Sequence, residues 1–159
     1  MNTRKVLEYA LQREYEGKRF FEQNAARLQN AAAAGAFKAI AAEEQKHIEY
    51  IQMQINALET ESAPAPELPS TGFFAERAES EVVSDSIAES MVADLPVLRM
   101  AYLIERDFAE FYTQAASQTE GKAKKTLEML ARWEAGHERL FKLMHDKAFE
   151  MYSGMPWGG

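Results

Sequence analysis

Apolar residues recur at helical spacing in four runs of this chain, at about 3–30, 33–59, 95–118 and 122–152, and each run sets a carboxylate where a large apolar residue belongs. The first stripe reads Leu7, Leu11, Glu14, Gly17, Phe21, Leu28, and the second Phe37, Ile40, Glu44, His47, Ile51, Leu58. The third reads Leu98, Ala101, Glu105, Phe108, Tyr112, Ala115, and the fourth Leu127, Leu130, Glu134, His137, Phe141, Met144. Four such runs predict an all-α fold with polar residues turned inward. At 159 residues the chain is long enough for one core and short for two.

The links set the expected topology. "QNAAAAG" (29–35) joins the first two runs and "QTEG" (118–121) the last two, with Gly121 suited to a helix C-terminus; links this short make antiparallel neighbours. Between the hairpins, "ESAPAPELPSTG" (61–72) holds three of the five prolines and cannot stay helical. The stretch 73–90 suits one short helix, and Asp94 is placed to cap the third run. The expectation is a four-helix bundle over 1–152, two hairpins with a long crossover at 61–94, and a C-terminal tail at 153–159. That crossover can span the bundle within one chain or hand the second hairpin to a neighbouring chain, and both arrangements stay open.

The halves repeat each other. Aligning 10–26 with 101–117 pairs Glu14 with Glu105, Phe20 with Phe111, Phe21 with Tyr112 and Ala25 with Ala116, and "AAEEQKHIEYI" (41–51) then pairs with "ARWEAGHERLF" (131–141). Duplication of a helical hairpin is the economical explanation.

Four carboxylates buried near one another are strongly unfavourable unless a cation neutralises them, because desolvation and mutual repulsion both oppose the charged form. The i, i+3 spacing of Glu44 with His47, and of Glu134 with His137, lets each pair converge from one helix face. Counting from each turn at about 1.5 Å per residue puts Glu14 level with Glu44 and His47, and Glu105 level with Glu134 and His137, within about 6 Å. One Glu from each of two helices and one Glu-x-x-His from each of the other two is the donor set of dinuclear iron and manganese bundles. A single Glu-x-x-His in a Glu-rich helix reads as a solvated face; two at matched places of a duplicated hairpin read as metal ligands. His145, among Asp146 and Lys147, reads as a surface residue, and Trp133 and Tyr112 as simple packing, with support of the ligands from behind as the alternative.

Composition excludes other chemistries. A net charge of −7 without a basic cluster argues against nucleic acid and anionic membrane surfaces. No stretch approaches the roughly 20 apolar residues of a membrane span, the charged N-terminus is no signal peptide, and a cytoplasmic location is expected. With no Cys, thiolate nucleophiles, Cys-ligated zinc and iron–sulfur centres are excluded, so a metal must use oxygen and nitrogen.

"ALQREYEGKRFF" (10–21) and "AYLIERDFAEFY" (101–112), each followed about 30 residues later by "EEQKH" or "WEAGH", resemble the rubrerythrin branch of the ferritin-like superfamily, in particular short members without a rubredoxin domain. The resemblance implies a ferritin-like bundle with two iron ions: Glu14 and His47 as terminal ligands of one, Glu105 and His137 of the other, Glu44 and Glu134 bridging. Manganese also suits such ligands, and zinc is a further occupant of purified protein. Two departures stand out. Position 108 is Phe where peroxidase-active rubrerythrins carry an extra Glu, and the chain lacks the cysteines of a rubredoxin iron.

By that likeness the leading expectation is an oxidoreductase reducing hydrogen peroxide or dioxygen, or oxidising ferrous iron, with electrons from an external donor protein. A ferritin- or bacterioferritin-like iron-handling protein is the alternative, and a metal-free helical scaffold a third reading. A homodimer is expected, with or without exchange of the second hairpin.

Overall fold

The computed structural model describes residues 2–60 and 91–156, and every regular element among them is helical. α1 spans Thr3–Ala25 and α2 Ala31–Thr60; a 3-10 turn at Val92–Asp94 leads into α3, Leu95–Ser117, and α4 runs Gly121–Gly154. α1 lies along α2 and α3 along α4, and the two hairpins meet through α1 on α3 and α2 on α4. This is the expected all-α four-helix bundle. Residues 61–90 of the expected crossover lie outside the described residues. Among the described residues, no helix is long and apolar enough to cross a membrane.

The links differ from the sequence expectation in four ways. α1 stops at Ala25, not near 30: the Asn24 side chain turns back to the Phe20 carbonyl, and the Asn24 carbonyl takes the Arg27 amide. The alanines of "QNAAAAG" belong to α2 and not to the turn, since alanine is the strongest helix former and the Asn30 side chain accepts from the Ala33 amide at 2.9 Å. Asp94 stands before α3 but makes no cap bond to it; its two oxygens accept from the amides of Gln29 and Asn30, each at 2.8 Å. Gly121, at φ +66°, opens α4 and does not close α3.

Two apolar clusters divide the core by height. One gathers Phe21, Phe37, Ile40, Leu98, Phe141 and Met144, with the rings of Phe21, Phe37 and Phe141 packed edge-on or stacked at 5.1–5.3 Å. The other gathers Leu7, Ile51, Ile55, Phe108, Tyr112, Leu127 and Leu130. Each fully buried Leu, Ile or Phe contributes about 1.5–3 kcal/mol, and these layers hold the four helices at the height between them. Leu58, expected inward, is 49% exposed. It lines an open groove with Thr3, Lys122, Ala123 and Thr126, side chains too small or too polar to cover it.

Candidate metal centre

Between the two clusters each helix turns its one inward acidic position to the same place. Glu14, Glu44, His47, Glu105, Glu134 and His137 are all at most 1% exposed. They fall into two groups of four whose nearest ligand atoms lie within 4.8 Å of one another: Glu14, Glu44, His47 and Glu134, and Glu44, Glu105, Glu134 and His137. Glu44 and Glu134 belong to both. Nδ1 of His47 lies 3.1 Å from Glu14, 3.4 Å from Glu44 and 3.1 Å from Glu134. Nδ1 of His137 lies 3.4 Å from Glu44, 3.5 Å from Glu105 and 3.3 Å from Glu134. The two imidazoles are nearly parallel, 7° apart, with centroids 6.1 Å from each other.

Most of the candidate donor atoms are left without protein partners, the exceptions being Glu14 and Nδ1 of His47, which pair with each other. Both oxygens of Glu44, Glu105 and Glu134, and Nδ1 of His137, are buried and make no hydrogen bond. Buried polar groups in this number are otherwise rare, because each unmet one costs about 1–3 kcal/mol. Four carboxylates and two neutral imidazoles would balance two divalent cations, so the residues fit a dinuclear site in charge as well as in donor type.

In the metal-free chain protons stand in for cations. Burial, then the charge of Glu44, pushes the Glu14 carboxyl up to about 8; burial, then the charge of Glu134, pushes Glu105 well above the ordinary carboxyl range. Burial acts on Glu44 and Glu134 in the same direction, but the protons on their neighbours win, leaving Glu44 below its ordinary value and Glu134 at about 2. Burial opposes charge on the histidines too. The carboxylates around them prevail, Glu14 foremost for His47 and Glu105 for His137, and hold both well above the ordinary imidazole value.

Three side chains brace the candidate ligands. Tyr112, buried and pushed well above the ordinary phenol value by burial and by the charge of Glu14, keeps its proton and donates it to Glu14 Oε1. The Trp133 ring packs on His47, centroids 4.5 Å apart. Glu43 reaches across from α2 to Nε2 of His137 at 2.5 Å. From the sequence, Tyr112 and Trp133 read as packing, with a place behind the ligands as the alternative, and Glu43 does not stand out. The available signal was position: a residue directly before a core-facing Glu lies on the flank that meets the neighbouring helix.

His145, expected on the surface, is largely covered, its side chain 16% exposed and its ring between those of Tyr102 and Phe149. It belongs to neither donor group. Phe108 lies in the apolar cluster one turn from Glu105, so that turn of α3 brings no further carboxylate to the site.

The family model described as Rubrerythrin matches residues 5–145. No match was found among curated proteins or among solved structures. With a matched span that reaches all four helices and contains all six buried Glu and His residues of the cluster, the chain belongs to the rubrerythrin family.

Proposed function

We propose that the chain is a di-iron oxidoreductase that reduces hydrogen peroxide or dioxygen, or oxidises ferrous iron, with electrons from a separate donor protein. One observation carries the reading: Glu44 and Glu134 are common to two buried four-residue donor groups, which supports a pair of metal ions that would share both glutamates. Glu14 with His47, and Glu105 with His137, would complete the two positions. Two ferrous ions there would supply one electron each, the pair needed to reduce one peroxide to water.

The chain's own residues do the rest. Glu44 and Glu134 would hold both positions from two neighbouring helices, α2 and α4. Tyr112 holds the carboxylate of Glu14 in one orientation. The two apolar clusters on either side exclude bulk water, which strengthens the electrostatic hold of the carboxylates on cations. The 159 residues contain no Cys to bind a second, thiolate-ligated iron, so the electrons would come from outside them. The proposed setting is a cytoplasmic homodimer.

Iron loading followed by elemental analysis should give two ions per chain, and His47→Ala with His137→Ala should abolish that occupancy. The ferrous protein should consume about one peroxide per dinuclear centre and then stop until a reductant is added. Sustained peroxide loss without reductant would overturn the proposed reaction, and full occupancy in the double variant would overturn the ligand set.

A further inference from the structure

The two halves of the centre share one plan, and three side chains break its symmetry in the same direction. The sequence repeat puts Glu43 and Trp133 at one place, each directly before a Glu-x-x-His. Each faces the histidine of the other hairpin. Glu43 Oε2 lies 2.5 Å from Nε2 of His137, which donates its outer N–H to that carboxylate. Trp133 offers His47 only a ring face, and the outer nitrogen of His47 is buried without a hydrogen-bond partner. The repeat also pairs Tyr112 with Phe21. The Tyr112 hydroxyl takes one oxygen of Glu14, whereas both oxygens of Glu105 are unpartnered and open to a cation.

A histidine whose outer N–H is held by a carboxylate is fixed in tautomer and ring orientation and is the more basic ligand, an effect of about 10–100-fold in metal affinity. We infer that the two metal positions fill in order, the Glu105–His137 position first, and that Glu43 is the positioning residue that sets this order. The inference rests on the dinuclear reading above. It makes a singly loaded protein a defined species, with its ion held by Glu105, His137 and the two shared glutamates and the Trp133 side still open.

Titration of the metal-free protein with Co(II) against a chromophoric chelator reads each binding step. Repulsion between two cations alone also separates the steps, so single-histidine variants assign them. His47→Ala should bind one Co(II) with nearly the parent's tighter affinity, and His137→Ala should bind one only weakly. In the His47→Ala background, Glu43→Ala should weaken the remaining ion by about 10–100-fold. Glu43→Gln, close in shape and with an amide oxygen that still accepts the N–H, should weaken it less; that variant carries the test if Glu43→Ala does not fold. Trp133→Glu in the His137→Ala background supplies the missing acceptor and should tighten the ion there. Equal affinity of the two histidine variants, or no weakening on changing Glu43, overturns the inference and leaves the dinuclear reading standing. A parent that takes up no Co(II) overturns both.

Discussion

The ring of Phe108 on α3 covers Gly17 on α1 so closely that a Cβ added at Gly17 would stand 2.7 Å from Cε2 of the ring. By the internal repeat these are the same place, one turn after Glu14 and one turn after Glu105, so a large residue in one half fills what a missing side chain leaves in the other. This contact sets how near α1 and α3 approach one turn from the ligands.

Gly17→Ala should therefore destabilise the protein although alanine is the better helix former. Overpacking a filled core costs about 1–3 kcal/mol, against about 1 kcal/mol gained in helix propensity. Phe108→Leu in the same chain should recover part of the loss by making room. Urea unfolding of the two single variants and the double variant measures this coupling. A Gly17→Ala chain as stable as the parent would mean that the helices separate freely at this height.

Asp94 ties the hairpins at one end. Only 2% exposed, it accepts the amides of Gln29 and Asn30 in the link between α1 and α2 while standing at the start of α3. Asp94→Asn keeps the shape but turns one acceptor into a donor facing a donor. The expected loss is about 1–3 kcal/mol, the cost of a buried amide left without its partner. Denaturant unfolding checks it, and a change below about 0.5 kcal/mol, the scatter of surface substitutions, would show that water replaces the lost acceptor.

Periodicity along single helices made the four runs and the six inward donors legible, because a Glu or His among Leu, Ile and Phe on one stripe has no place to go but inward. What escaped depends on relations between helices. Asp94 carries the sequence mark of a cap, yet the amides it satisfies lie about 65 residues back along the chain. Glu43 looks like a solvent-facing neighbour of Glu44 until α4 is laid beside α2 and His137 arrives at its carboxylate. The alanines 31–34 sit among residues that mark a turn, and their own helix propensity won. No single-helix pattern contains these partners.

The metal-free protein should lose stability as pH rises. Glu14 titrates at about 8 in the fold and at about 4.3 when unfolded, so the folded state holds the extra proton between those values and its advantage drains away across that window. The histidines, raised above about 6.5, contribute below that value and lose the contribution as pH climbs past it. Glu134, held at about 2, acts oppositely: its contribution is present above about 4.3 and lost as pH falls towards 2. Melting temperature in chelator should thus peak in mild acid and fall towards pH 8. Metal must displace these protons, so the rise in melting temperature on adding metal should be larger at pH 8 than at pH 6. A chelated protein that melts higher at pH 8 than at pH 5 would contradict the buried, protonated cluster.

The centre should also be held at the expense of the metal-free fold. With no cation, Glu44 and Glu134 sit fully buried, with neither oxygen of either hydrogen-bonded, beside two further carboxyls. Glu44→Leu with Glu134→Leu removes both shared donors and supplies apolar groups of similar size between two apolar clusters. Replacing buried ion pairs by hydrophobic groups of similar volume is often neutral or stabilising by about 1–4 kcal/mol, and here each histidine keeps a carboxyl partner, His47 with Glu14 and His137 with Glu105. The double variant should therefore lose high-affinity metal altogether, since each of the two glutamates belongs to both donor groups, and yet melt above the chelated parent. The metal-loaded parent should melt highest of the three, because ions that bind only the folded state add stability by mass action. The order of the three thermal melts is the measurement. A double variant that melts below the chelated parent would mean that the glutamates support the metal-free bundle through contacts that leucine cannot replace, and the stabilising part played by the cations would have to be given up.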